Sequence, residues 1–151
     1  MRTLPGLLLL VLVAALAGRA QTAGSAAEVR RVFVIFPQGK PALAPVEREL
    51  RKELARSGIT LAASREQCEA VLIATGDVYI RGYISLNPRA GSSPLHGEPV
   101  RSGFLSVELK GRGNETLWSY LATPRTSPQI ERALSKQVTK ELLIAIRGAK
   151  P

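Results

Sequence analysis

The sequence predicts an α+β domain: a mixed β-sheet of about four to five strands with two amphipathic helices packed on one face. Two segments, residues 45–57 and 127–148, carry apolar residues every four positions between charged ones, which predicts the helices. Residues 77–84 and 104–110 alternate with a period of two, which predicts strands with one buried side. Each helix and the sheet have one apolar side, so placing both helices on the apolar side of the sheet buries all three apolar surfaces.

The chain begins with the pattern of a secretory signal peptide. Arg2 precedes an apolar run over residues 7–17, and small residues follow at the end of the run. The run is about half the ~20 residues that a membrane-spanning helix needs, although an uncleaved anchor is the alternative. We therefore expect a signal peptide over residues 1–20, a flexible lead-in over residues 21–29 and a single domain over residues 30–148. The mature chain would be periplasmic or secreted, without a transmembrane segment.

The first half of the domain has the pattern of a strand followed by a helix. Residues 31–37 (RVFVIFP) are β-branched or aromatic on both sides, which predicts a buried strand. From Pro45, a residue favoured in a first helical turn, apolar residues recur every four positions until Ser57 and Gly58 end the helix. That apolar stripe consists of Val46, Leu50 and Leu54.

Further strands are expected in the middle of the chain. Residues 59–63 predict a short strand, residues 64–69 a polar turn, and the apolar run 70–74 a central strand. After Gly76 the residues alternate, so that one side of the next strand is buried and the other is wetter. The predicted buried side holds Val78, Ile80 and Ile84, and the wetter side holds Asp77, Tyr79, Arg81 and Tyr83.

The last third predicts a loop, a hairpin and a helix. Residues 86–101 are rich in proline, glycine and serine and have no apolar period, which is typical of a long surface loop. The turn sequence 111–114 (GRGN) joins the apolar segments 104–110 and 116–122 into a hairpin. Ser127 and Pro128 then begin a long helix that ends at Gly148. Its apolar stripe consists of Ile130, Leu134, Val138, Leu142 and Ile146.

The inventory of reactive side chains is small. Cys68, Asp77 and His96 are each the sole residue of their type in the chain, so neither a Ser-His-Asp triad nor a zinc site has the residues it needs in a recognisable spacing. We therefore expect no metal, no cofactor and no enzymatic activity. The alternative is a hydrolase that uses paired carboxylates from Asp77, Glu108 and Glu115, which lie on neighbouring predicted strands. The Gln-Gly-Lys of residues 38–40 lacks the remaining residues of a phosphate loop.

The candidate binding residues are Tyr79, Arg81 and Tyr83 on the wetter strand side, continued on a neighbouring strand by Phe104. Aromatic residues that alternate with arginine on an open sheet face are suited to docking a protein partner or to stacking on bases or sugars. The alternative interpretation is that this face is packed beneath the loop over residues 86–101.

Two segments resemble small bacterial envelope domains. Residues 68–78 (CEAVLIATGDV) have an acidic residue, an alanine, an apolar strand and a glycine, and residues 104–120 (FLSVELKGRGNETLWSY) have paired strands with a glycine turn and a tryptophan. Both are similar to segments of the TolB amino-terminal domain, the lipoprotein LpoB and the curli-secretion lipoproteins. The resemblance covers roughly residues 31–146 and implies a module that binds other envelope proteins. It carries over no functional side chain, and the lipidated cysteine of the lipoprotein members has no counterpart here.

We therefore expect an exported, non-enzymatic binding or scaffold domain of the bacterial cell envelope that acts through protein-protein contacts. A hydrolase acting on a cell-wall or extracellular substrate is one alternative. A binder of anionic polymers is another, because the formal net charge of +9 falls only to +7 when Arg2 and Arg19 leave with the signal peptide. Weak affinity for anionic surfaces is compatible with each of these, and no pattern indicates specific nucleic-acid binding. The partner is expected to be an envelope protein.

Overall fold

The computed structural model describes residues 25–38, 40–85 and 97–148. The strands are β1 (Arg31–Ile35), β2 (Thr60–Leu61), β3 (Ala70–Ser85), β4 (Gly97–Gly111) and β5 (Thr116–Ala122). The helices are α1 (Ala44–Arg56) and α2 (Ile130–Arg147). Short 3-10 turns lie at Ala26–Glu28, Pro41–Leu43 and Arg65–Gln67. The predicted signal peptide, residues 1–20, lies outside the described residues.

The five strands form one mixed sheet in the order β2-β1-β3-β4-β5. β1 is parallel to both β2 and β3, whereas β3, β4 and β5 are antiparallel to one another in sequence order. The connection from β1 through α1 to β2 is the crossover that a parallel pair requires. The predicted α+β class with a mixed sheet is therefore confirmed.

Both helices cover the same face of the sheet. The stripes of α1 and α2 form one core with alternate residues of the strands, among them Val32, Leu72, Leu105 and Val107, which are fully buried. The intervening residues Phe33, Val71 and Ile73 belong to a second, smaller cluster with Ala62 and Cys68. Because neighbouring strand residues point to opposite sides, these two clusters mark the two faces of the sheet. One face is covered by helices, and we call the other the open face.

A few polar contacts hold the layers together. Arg51 of α1 donates from Nη2 to the carbonyl oxygen of Val34 at 2.9 Å, and its guanidinium also pairs with Glu47. The Ser135 hydroxyl of α2 lies 3.4 Å from the carbonyl oxygen of Val46 in α1. Arg101 of β4 forms an ion pair with Glu131 of α2. Polar contacts therefore connect the sheet to both helices, on the side opposite its open face.

The long pairing of β3 with β4 departs from the prediction. Residues 86–101 were expected to be a loop, but Gly97 to Arg101 belong to β4 and pair with the end of β3, from Ser85↔Gly97 to Ile80↔Arg101. Arg101 also forms a backbone bridge to Ser127 on its other side. The prolines and glycines that suggested a loop therefore include residues of an extended β-ribbon, and the remaining positions, 86–96, lie outside the described residues.

The start of the domain is described from Ser25 onwards. Within the predicted lead-in over residues 21–29, Ala26–Glu28 form a 3-10 turn and the side chain of Val29 lies in the core. The packed domain therefore includes Val29. At the other end of the chain, α2 begins at Ile130, two residues after Pro128, and the Ser127 hydroxyl accepts a hydrogen bond from the backbone N–H of Gln129.

Candidate binding face

A β-bulge divides the residues that the sequence grouped into one binding site. The register of β3 on β4 shifts between Ile80 and Gly82, which leaves Arg81 as the extra residue. Side chains alternate between the two faces of a strand, so one extra residue moves each later residue of that strand to the face opposite the one that the alternation predicts. Tyr79 lies opposite Ser102 on the open face, but Tyr83 lies opposite Pro99 and therefore on the other side of the ribbon. The expectation that Tyr79 and Tyr83 share a face is wrong.

The bulge also corrects the predicted buried side of this strand. Ile80 and Ile84 were both expected to be buried, yet each is 52% exposed. Ile80 pairs with Arg101 on the helix side, whereas Ile84 pairs with Glu98 and lies on the open face. Among the described residues, neither isoleucine belongs to either of the two core clusters. Gly82 was the one available sign, since an isolated glycine within a strand often marks a bulge.

Three large apolar side chains lie next to one another on the open face. Tyr79 of β3, Phe104 of β4 and Leu121 of β5 are 53%, 42% and 55% exposed. Phe104 lies opposite Asp77, Tyr79 opposite Ser102 and Leu121 opposite Ser106, so Phe104 is the diagonal neighbour of both other residues. Diagonal neighbours are about 7–8 Å apart, within reach of aromatic side chains. We call Tyr79, Phe104 and Leu121 the open-face patch.

The register places Phe104 on the same face as Tyr79, as the alternation of residues in the two strands predicts. Leu121 was missed. Its strand was predicted, but which of its residues face outward depends on the register of β5 on β4, and that register contains a shift at Leu109 and Lys110. Trp118 and Tyr120, which alternate with Ser119 and Leu121, instead stack on each other at 5.9 Å and pack against the core.

Arg81, the extra residue of the bulge, makes a polar contact outside the patch. Its Nη1 donates to the Thr126 hydroxyl at 3.3 Å, and its side chain is exposed. No acidic side chain pairs with it within the described residues. The guanidinium therefore has further donors available to an incoming carboxylate.

Of the segment over residues 86–101, which could alternatively cover this face, the structure describes Gly97 to Arg101. Gly97 to Arg101 pair in the plane of the sheet, edge to edge with β3, and do not lie over Tyr79 or Phe104.

The carboxylates considered for hydrolysis are not brought together. Asp77 and Glu108 are both on the open face, but Glu108 lies opposite Ile73, four residues along β3 from Asp77. At ~3.4 Å per residue the two backbone positions are about 14 Å apart along the strands, whereas glycosidase carboxylates are ~5–9.5 Å apart. Asp77 accepts a hydrogen bond from the backbone N–H of Val78, and Glu108 pairs with Lys110 at 3.2 Å. Glu115 lies in the distant hairpin turn, beside Gly111 and Gly113.

Other reactive residues have structural surroundings. Cys68 is buried, and its thiol donates to the carbonyl oxygen of Arg65 at 3.1 Å. Lys40, from the sequence that partly matched a phosphate loop, donates from Nζ to the carbonyl oxygen of Gly76 at 3.1 Å. In the described part of the chain, no three side chains of the His, Cys, Asp or Glu type gather as metal ligands would. His96 lies outside that part.

Comparisons with known proteins place the fold. No protein-family model and no curated protein matches the sequence. Among solved structures, a minor lipoprotein from Acinetobacter baumannii is 13% identical with a TM-score of 0.51, covering 76% of this chain and 90% of the other. The PelC dodecamer from Paraburkholderia phytofirmans is 19% identical with a TM-score of 0.46, covering 85% of this chain and 93% of the other. Uncharacterized lipoprotein B from Nitrosomonas europaea is 14% identical with a TM-score of 0.36, covering 83% of this chain and 81% of the other.

The likeness to the minor lipoprotein is one of fold. It confirms, for the fold, the resemblance to small bacterial envelope domains that residues 68–78 and 104–120 indicated. Neither helix in the described ranges combines the length and the apolar character that crossing a bilayer requires.

Proposed function

We propose that this protein is an exported, non-enzymatic binding module of the bacterial cell envelope that docks another protein on its open-face patch. The proposal rests on one observation. Tyr79, Phe104 and Leu121 are exposed next to one another on one face of the sheet, and the two helices pack against the other face. Aromatic side chains held on a rigid surface lose little conformational entropy on binding, which suits them as anchors.

The surroundings of the patch define the partner's chemistry. Ser102, Asp77 and Ser106 lie directly opposite Tyr79, Phe104 and Leu121 on the neighbouring strands, so the patch combines apolar anchors with polar positions around them. Arg81, two residues beyond Tyr79 in β3, has no acidic partner within residues 25–38, 40–85 and 97–148. We infer a partner with an apolar segment flanked by a carboxylate, because such a segment fills the patch and pairs with the guanidinium.

The envelope location rests on two supports. The first is the signal-peptide pattern of residues 1–20. The second is the fold shared with a bacterial minor lipoprotein, together with the sequence resemblance to envelope domains. The non-enzymatic role is supported by the separation of Asp77 from Glu108 and by the structural hydrogen bonds of Cys68 and Lys40.

Site-specific photo-crosslinking tests this function. A photoreactive residue is placed at position 79, 104 or 121, and a matched control carries it at position 83, on the opposite side of the same ribbon. We expect one envelope protein to be captured from all three patch positions and not from position 83. Capture that is equal at position 83, or different proteins at each patch position, would contradict the proposal.

A further inference from the structure

A second surface lies on the helix side of the molecule, away from the open face. A groove of about 790 Å³ runs between the carboxyl-terminal halves of α1 and α2. Leu143 and Ile144 contribute apolar surface to it, and Ile144 is 43% exposed. Thr139 also lines the groove; it is 6% exposed, and its hydroxyl has no hydrogen-bond partner within the described residues.

The rim of the groove is basic. Among the described residues, Arg56, Lys136, Lys140 and Arg147 line it together with one acidic residue, Glu53, which pairs with Arg56 at 3.2 Å. Arg147 uses one guanidinium nitrogen to donate to the carbonyl oxygen of Ser57 at 3.0 Å and keeps its other donors. Lys136 and Lys140 are exposed, and neither has an acidic partner in the described ranges. Three unpaired cations therefore surround an apolar floor.

The hydrogen-bonding character of the rim restricts the ligand. Lysine and arginine side chains donate hydrogen bonds and accept none. A peptide in the groove would bring several backbone N–H groups that need acceptors, whereas the described lining offers the Thr139 hydroxyl and a Glu53 carboxylate that is already paired with Arg56. The phosphate and ester oxygens of a phospholipid are acceptors, and its acyl carbons match the floor of Leu143 and Ile144. The rim and floor thus fit an anionic lipid better than an acidic peptide.

We propose that this groove binds an anionic phospholipid at a membrane surface, with the phosphate against Lys136, Lys140 and Arg147 and the adjoining acyl carbons against Ile144. The helices and the open-face patch lie on opposite sides of the sheet. A molecule attached to a membrane by the groove therefore leaves the patch free. This site is independent of the proposed protein partner, so either proposal can fail without the other.

Vesicle co-sedimentation with the folded domain tests the groove. Vesicles of phosphatidylcholine doped with phosphatidylglycerol are compared with vesicles of phosphatidylcholine alone. Each basic residue at a membrane surface strengthens binding about fivefold, so Lys136→Gln combined with Lys140→Gln should weaken binding to the doped vesicles about 25-fold. Ile144→Ser should weaken it further. Binding should also decrease as salt is raised, because the contributing charges are exposed.

A matched pair of substitutions separates the groove from the general basic charge. Arg112→Gln combined with Arg125→Gln removes the same charge from exposed positions that do not line the groove, and we expect a much smaller loss. An equal loss in this control, or equal binding to undoped vesicles, would overturn the proposal. Displacement by glycerol phosphate alone would show a phosphate site without a lipid role, and groove-dependent retention of a polyglutamate peptide would assign the groove to an acidic peptide; both results contradict the lipid assignment.

Discussion

Glu69 joins the beginnings of two neighbouring strands with one side chain. Its Oε2 accepts hydrogen bonds from the backbone N–H groups of Arg30 at 2.6 Å and Arg31 at 3.0 Å, while its own backbone N–H donates to the carbonyl oxygen of Arg31. The two backbone donors lower the pKa of the Glu69 carboxyl below its ordinary value of 4.5. The ionised form is therefore the one that holds β1 to β3.

This arrangement predicts an acid-sensitive contribution to stability. Because the folded-state pKa is lowered, the contribution is fully present above the unfolded-state pKa and is lost as the pH falls through the folded-state pKa. We expect Glu69→Gln to lower the free energy of unfolding at pH 7 by no more than about 1 kcal/mol, since the carboxylate is largely in contact with solvent. Denaturant unfolding should show the difference from wild type shrinking as the pH falls below 4.5.

Glu66→Gln is the matched control for this measurement. The pKa of Glu66 is also lowered, but mainly by a hydrogen bond to Ser64 within its own turn, so its replacement leaves β1 and β3 joined. A wild-type-to-Glu69→Gln difference that stays constant from neutral to acidic pH would show that the charge of Glu69 does not link the strands.

Single residues also explain why the candidate site was only partly predictable. Phe104 and Tyr79 could be assigned to one face because each alternates with buried residues along its own strand, and the alternation in β3 is regular as far as Tyr79. Arg81 is an extra residue in β3 and shifts the alternation after it by one position. Such an insertion leaves the amino-acid composition of the strand unchanged, so the sequence pattern does not reveal it. Tyr83 was therefore assigned to the wrong face, although Gly82 offered a sign of the bulge. Leu121 depended on a cross-strand register that no local pattern reveals.

At the level of elements, the helices were predictable because each faces the core over several turns. The four-residue spacing of Val46, Leu50 and Leu54 requires one buried stripe, and all three are fully buried. The extended β4 was not predictable, because its first five residues owe their strand conformation to pairing with the end of β3 and not to an apolar pattern of their own. The groove was also missed, since Lys136 and Lys140, four positions apart, have the spacing of an ordinary solvated helix face.

The role of α2 is tested by a charge in its stripe. Val138 is fully buried among core residues, and Val138→Asp places a carboxylate there without a partner. We expect the free energy of unfolding to fall by at least about 3 kcal/mol. Thermal and denaturant unfolding measure this, with Lys136→Asp on the exposed side of the same helix as the control. A melting temperature that Val138→Asp leaves at the wild-type value would show that α2 does not hold the sheet through this stripe.

On the scale of the whole molecule, the sheet separates two surfaces of different chemistry. The open face presents aromatic and apolar side chains among polar ones, and the helix side presents a basic groove. The residues that stabilise the fold lie between them, in the core shared by the sheet and the helices. Substitutions on either surface are therefore expected to change binding with little effect on folding.

Binding of a protein partner to the open-face patch is tested by comparing two double variants. Tyr79→Ser with Phe104→Ser removes two patch residues, while Ile80→Ser with Tyr83→Ser removes an aliphatic and an aromatic residue from the opposite side of the ribbon. Both pairs lower strand propensity in a similar way. Circular dichroism melts establish folding, and titration against the purified protein captured by crosslinking gives the dissociation constant of each.

Both double variants should stay folded, and only the patch variant should lose affinity. Two anchors worth about 1–2 kcal/mol each should raise its dissociation constant at least about 30-fold, with the control close to wild type. A folded patch variant that binds at wild-type strength, or a control that loses as much affinity, would contradict the claim.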